Sequence, residues 1–219
     1  DETPFNSTMR LTRLCILCLS CSIYFSSWAA DEDITLLVYG DSLSASYGIE
    51  QEQGWVNLLK SKLRSEKLPV DVVNGSVSGE TTTGGLARLP AMLDSYQPEL
   101  LILELGGNDG LRGLPLDLMR ENLASMIDLA KASGAEVILT GIQIPPNYGP
   151  RYTAPFFEIY SALAKQKLLP LVPFLIDGIP QQPELMQNDG IHPRAEAQSM
   201  ILDNVWLILK PQLEILLKK

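Results

Sequence analysis

Apolar residues in this chain gather into five short runs, separated by stretches in which they recur every third or fourth position. The runs are residues 34–39, 70–73, 100–105, 136–144 and 169–174. Each is β-branched or leucine-rich and bounded by Gly, Pro or Asn, which predicts strands buried on both faces. Residues 55–63, 86–96, 116–132, 156–167 and 195–209 carry the helical spacing. Strict alternation of strand and helix predicts right-handed crossovers and a parallel sheet covered on both sides. The expectation is a single three-layer α/β/α sandwich around a five-stranded parallel sheet. No internal repeat, low-complexity tract or long linker divides it.

The first thirty residues are expected to stand apart as a leader, leaving 31–219 as the domain. Residues 1–8 precede Met9, the expected start. Arg10 and Arg13 then give a positive n-region, Leu14 to Phe25 an apolar h-region, and Ser27-Trp28-Ala29-Ala30 small residues for cleavage after Ala29 or Ala30. About twelve apolar residues fall short of the roughly 20 that span a bilayer, so the expectation is a cleaved secretory signal and a periplasmic or secreted domain. An uncleaved anchor and a lipoprotein attached through Cys21 are the alternatives; Cys18 stands where the latter expects an aliphatic residue. Cys15, Cys18 and Cys21 are the only cysteines. Once the leader is removed, the domain has no disulfide, thiolate nucleophile or cysteine metal site. The leader's Asp1, Glu2, Arg10 and Arg13 cancel, so the net charge of −9 belongs to the domain. Such an acidic surface excludes nucleic acid as a partner and offers no general steering to anionic substrates.

In an open sheet of this kind, flavodoxin-like in outline, ligands bind outside the carboxyl ends of the strands. The residues with chemistry fall there. Ser42, in Gly40-Asp41-Ser42-Leu43-Ser44, follows the first strand; Gly79 follows the second; Asn108, in Gly106-Gly107-Asn108-Asp109-Gly110, follows the third. Asp189 and His192 lie in the loop before the last helix. His192 is the only histidine in the chain, so an imidazole-activated serine has one candidate base. Serine acyl transfer needs an exposed hydroxyl, an imidazole to take its proton, a group to orient that imidazole and donors for the oxyanion. Ser42, His192 and Asp189 supply the first three. Gly190 permits the tight turn that brings Asp189 onto the ring, and Pro193 is expected to open the last helix. For the oxyanion, Asn108 offers an amide from a segment expected to be a loop, and Gly79 and Ser42 offer backbone N–H groups.

The blocks Gly40-Asp41-Ser42-Leu43-Ser44, Gly79, Gly107-Asn108-Asp109 and Asp189-Gly190-Ile191-His192 resemble the SGNH hydrolase (GDSL esterase/lipase) superfamily. The strings from Glu104 to Gly113 and from Pro146 to Tyr152 are similar to its bacterial thioesterase I, lysophospholipase L1 and arylesterase branch. The resemblance covers nearly the whole domain, about 34 to 209. It implies Ser42 as nucleophile, His192 as base held by Asp189, and an oxyanion hole of Ser42 N–H, Gly79 N–H and the Asn108 side chain. No metal or organic cofactor is implied. One departure is Ser46, where relatives commonly have glycine. Gly-x-Ser-x-Gly is absent, so an α/β-hydrolase is not expected. With one histidine, His-Glu-x-x-His is excluded, and no Walker motif occurs.

Leu111, Arg112, Leu114, Pro146 and Tyr148 are the candidate substrate contacts, on loops mixing apolar side chains with Gly and Pro. The resemblance permits acyl-CoA, lysophospholipids and aryl or alkyl esters. The acidic charge and expected export favour a small ester or lipid, with at most transient contact with membrane lipid. No oligomeric state is called for, and a monomer suffices. Two other readings stay open: a carbohydrate O-acetyl esterase on the same scaffold, and a non-catalytic ligand-binding module.

Overall fold

The computed structural model describes residues 33–218, so the leader lies outside the described residues. Five strands form one parallel sheet in the order β2-β1-β3-β4-β5: β1 (Ile34–Gly40), β2 (Val70–Asn74), β3 (Leu100–Glu104), β4 (Glu136–Thr140) and β5 (Leu171–Val172). This is the flavodoxin-like order, with its switch at β1. The helices are α1 (Trp55–Ser65), α2 (Thr82–Tyr96), α3 (Gly107–Leu111), α4 (Leu116–Ala132), α5 (Pro150–Lys167) and α6 (Gln198–Leu216).

The continuous apolar runs conceal a two-faced alternation. Leu37, Tyr39, Leu101, Leu103, Val137 and Leu139 pack with buried residues of α2, α4 and α5. Leu36, Val38, Leu100, Ile102 and Ile138 pack on the other face with residues of α1 and α6. Each such side chain, fully buried, contributes about 1.5–3 kcal/mol, which accounts for apolar residues at successive positions, on both faces of the sheet.

Three boundaries differ from expectation in ways that shape the site. The fourth run stops pairing at Thr140, because the backbone at Gly141 crosses so close to Pro173 that an added Cβ would lie 2.1 Å from its carbonyl oxygen. Ile142 and Ile144 therefore leave the sheet as a loop. The Gly-rich segment expected to be a loop is instead the short helix α3, entered through Gly106 at φ 116°. Pro193 does not open the last helix. It pairs antiparallel with Met186, and α6 begins at Gln198 after a 3-10 turn at Ala195–Ala197.

Candidate active site

The strand ends deliver Ser42, Asn108 and the His192 loop to one edge of the sheet. Past β1, Asp41 Oδ1 accepts the Leu43 N–H at 3.1 Å and Asp41 O accepts the Ala45 N–H at 3.0 Å. This tight turn lifts Ser42 out of the sheet. His192 Nε2 lies 2.8 Å from Ser42 Oγ, and His192 Nδ1 lies 2.7 Å from Asp189 Oδ2.

The other Asp189 oxygen, Oδ1, accepts the backbone N–H groups of Ile191 (2.9 Å) and His192 (3.0 Å), with Gly190 at φ 67° making the turn. A side chain of three contacts thus fixes both the loop and the ring. Partial burial works to raise the Asp189 pKa, but the bonds from the His192 ring and from these two N–H groups outweigh it and hold the carboxyl below its usual range. It is therefore ionised wherever the imidazole is neutral. That fixes the tautomer: Nδ1 carries the hydrogen, and Nε2 faces Ser42 as an acceptor.

The candidate oxyanion donors converge on the same edge. Neither Ser42 N–H nor Gly79 N–H donates to a backbone carbonyl among the described residues. Gly79 adopts φ 81°, which favours glycine. Its carbonyl accepts from Arg112 Nη2 at 2.9 Å. Asn108 sits in α3, and its Nδ2 donates to Asp41 Oδ2 at 3.1 Å. Next to it, the buried Asp109 accepts both the backbone N–H (2.8 Å) and the hydroxyl (2.6 Å) of Thr82 at the start of α2. The segments carrying Gly79 and Asn108 are thereby strapped together.

An apolar cleft of about 300 Å³ opens beside Ser42. Leu111, Ile144 and Pro146 line it, whereas Arg112, Leu114 and Tyr148 do not. Arg112 holds Gly79, and the Tyr148 hydroxyl donates to Leu111 O at 2.9 Å. Most of the wall was not anticipated: Ile142, Phe174, Ile176, Met186 and Ile191. Reading residues 141–144 as strand concealed Ile142. Phe174 and Ile176 follow a strand of two residues, and no sequence period reports such a loop. Tyr47 was also missed. Its ring lies 4.4 Å from that of His192, and only its nearness to Ser42 in sequence hinted at this. Among the described residues no group of three His, Cys, Asp or Glu is placed to hold a metal.

A hydroxyl, an oriented imidazole and a carboxylate in line, beside free N–H donors and an apolar cleft, are the parts that serine acyl transfer requires. Comparison with known proteins agrees. Residues 38–199 match the GDSL-like Lipase/Acylhydrolase family, and the chain belongs to it. It is an ester hydrolase of the SGNH type. The chain is 53% identical to Esterase TesA of Pseudomonas aeruginosa over 179 residues, 82% of this chain and 89% of that one. It is 44% identical to Thioesterase 1/protease 1/lysophospholipase L1 of Escherichia coli strain K12, over 85% of this chain and 87% of that one. The crystal structure of the psychrotrophic esterase EstA from Pseudoalteromonas sp., inhibited by monoethylphosphonate, superposes with a TM-score of 0.79 at 42% identity, covering 83% of this chain and all of that one.

Proposed function

We propose that Ser42 is the nucleophile of a two-step hydrolysis of esters and thioesters whose apolar acyl chain lies in the cleft lined by Ile142, Ile144, Phe174 and Ile176. The observation that carries this reading is the unbroken line from Ser42 Oγ to His192 to Asp189, at 2.8 and 2.7 Å, opening onto that cleft. Ser42 Oγ attacks the acyl carbon as His192 Nε2 takes its proton, and Asp189 stabilises the imidazolium. The carbonyl oxygen, now anionic, receives hydrogen bonds from Ser42 N–H, Gly79 N–H and the second N–H of the Asn108 amide. The imidazolium protonates the leaving oxygen or sulfur, and the acyl group stays on Ser42. Water activated by the neutral imidazole then releases the acid.

Aryl and alkyl esters and lysophospholipids suit the cleft. The net charge of −9 disfavours acyl-CoA, which is more highly anionic, as the physiological substrate. Export through the leader, to the periplasm or medium, completes the reading, with membrane lipid touched only in passing. The test is a p-nitrophenyl ester series of increasing acyl length, run beside lysophosphatidylcholine and acyl-CoA, with wild type and Ser42→Ala. The expected result is kcat/KM rising from acetyl into medium chains and lost in Ser42→Ala. A steady fall from acetyl upward would replace this reading with the O-acetyl esterase one. Acyl-CoA far outcompeting the esters would overturn the substrate assignment.

A further inference from the structure

Two enclosed carboxyls lie behind the nucleophile turn, and the Ser42–His192–Asp189 line uses neither. Glu104 ends β3 opposite Gly40 and has no exposed surface. A Cβ on Gly40 would come within 2.3 Å of Glu104 Oε2, so the glycine makes room for the carboxyl. Oε2 accepts the Ser44 hydroxyl at 2.7 Å and the Asp41 N–H at 3.2 Å, whereas no donor among the described residues reaches Oε1. Asp41 is itself 2% exposed and accepts from Leu43 N–H and the Asn108 amide.

Two carboxyls this close and this buried cannot both be ionised. The choice between them follows from their partners. An anionic Glu104 would bury an oxygen that nothing solvates, which is the costlier state. Asp41 faces His192 and has donors on both oxygens, which favour its anion. Burial raises both groups, Asp41 to about 6. Asp41's charge raises Glu104 further. The other titratable groups facing the pair are His192, beside Asp41, and the buried Tyr160 phenol, beside Glu104.

We propose that Glu104 is a positioning residue, a neutral carboxylic acid that donates its proton to Asp41 and so keeps Asp41 an acceptor for the Asn108 amide. An amide NH2 has two N–H bonds. Asp41 takes one, and this aims the other at the oxyanion. The inference rests on the reading of Asn108 as an oxyanion donor.

The experiment compares Glu104→Leu, Glu104→Gln and Asn108→Ala through pH profiles of kcat and KM, with the infrared carbonyl stretch of a protonated carboxylic acid as a second measurement. Removing an oxyanion donor costs on the order of 10²–10³ in kcat, and Asn108→Ala is expected to show this at little change in KM. Glu104→Leu leaves Asp41 without its donor, so kcat falls at least about tenfold and its acid limb moves to higher pH. Glu104→Gln, whose amide donates in the same place, restores both. Wild type shows the protonated-acid band at neutral pH, and Glu104→Gln lacks it. If Asn108→Ala leaves kcat intact, the oxyanion reading fails. If Asn108→Ala lowers kcat but Glu104→Gln behaves like Glu104→Leu, the Glu104 inference alone is overturned. Absence of the band in wild type overturns it too, even if Glu104→Leu does not fold.

Discussion

His192 Nε2 and Ser42 Oγ meet at 2.8 Å although 150 residues separate them in sequence, and a neighbouring side chain ties their loops together. Gln187 Nε2 donates to Tyr47 O at 2.8 Å and to Pro193 O at 3.1 Å, while the Gln187 N–H donates to His192 O at 2.7 Å. One residue thus binds the turn after β1 to the loop before α6. The ring then stands between Asp189 on one side and the Tyr47 ring at 4.4 Å. Such double support is what a base within hydrogen-bond reach of a hydroxyl requires.

Because no second imidazole exists in the chain, His192→Ala has no substitute base. Its kcat on p-nitrophenyl esters is expected to fall by about 10⁴-fold or more, with the thermal transition near that of wild type, since the ring lies at the surface edge of the core. A residual activity within about tenfold of wild type, a margin far inside the cost of a lost base, would sink the mechanism.

The layers, the five parallel strands and the placement of Ser42, Asn108, Asp189 and His192 at one edge were legible in the sequence. Strand periodicity and the alternation with helices are local signals that survive packing. The misread segments are those where tertiary contact overrides local preference. Gly107-Asn108-Asp109-Gly110 is poor in helix formers, yet it forms α3 because Asp109 is bonded to Thr82. Helix α2 starts at Thr82, before the first apolar period at Leu86, because the Thr81 hydroxyl accepts the Gly84 N–H. Glu104 reads as a single polar residue within an apolar run, and nothing in that pattern marks it as fully enclosed. The cleft wall was hidden for a different reason: it is assembled from loop residues whose neighbours are distant in sequence.

Phe174 gives that wall a test. It is half-buried and lines the cleft after β5. Burial of an acyl methylene against such a surface contributes about 0.8 kcal/mol, roughly fourfold in kcat/KM. Phe174→Ala should flatten the rise of kcat/KM with chain length across medium chains while leaving acetyl ester hydrolysis close to wild type. An unchanged chain-length profile would show that the acyl group lies elsewhere.

Ser46, the departure from the family pattern, adopts φ 59°. The left-handed region costs a residue with a Cβ about 1–2 kcal/mol, and glycine gives back about 0.5–1 kcal/mol through its unfolded state. Ser46→Gly is thus expected to stabilise the fold by up to about 1 kcal/mol, or about 2–4 °C in Tm for a domain of this size. Ser46 Oγ also lies 1.9 Å from where a Cβ on Gly54 would sit. Gly54→Ala should therefore be harmful with Ser46 present and better tolerated with Ser46→Gly. A double-mutant cycle by thermal denaturation checks this, and purely additive effects would refute the contact.

The acid pair makes stability depend on pH with a definite sign. Glu104 is raised well above the ordinary 4.5 by burial and by Asp41, and Asp41 is raised from 3.8 to about 6, chiefly by burial. Between its unfolded and folded pKa values, each group is protonated in the folded chain and ionised in the unfolded one. The unfolded state then binds fewer protons, and stability falls as pH rises. Asp41 contributes this loss from about pH 4 to 6, leaving Glu104 as the member of the pair that acts above 6. Asp189 has the opposite sign: its lowered pKa adds stability above about pH 4, which is lost on acidification, so it is constant across the upper window. Repulsion within the net charge of −9 is shared by wild type and Glu104→Gln while Glu104 stays neutral. Their difference in unfolding free energy therefore isolates the Glu104 proton. From pH 6 to 8 wild type should lose stability relative to Glu104→Gln, by at most about 1.4 kcal/mol per pH unit. Urea denaturation of both proteins at pH 6, 7 and 8 measures this, and parallel curves would mean that Glu104 is ionised in the fold.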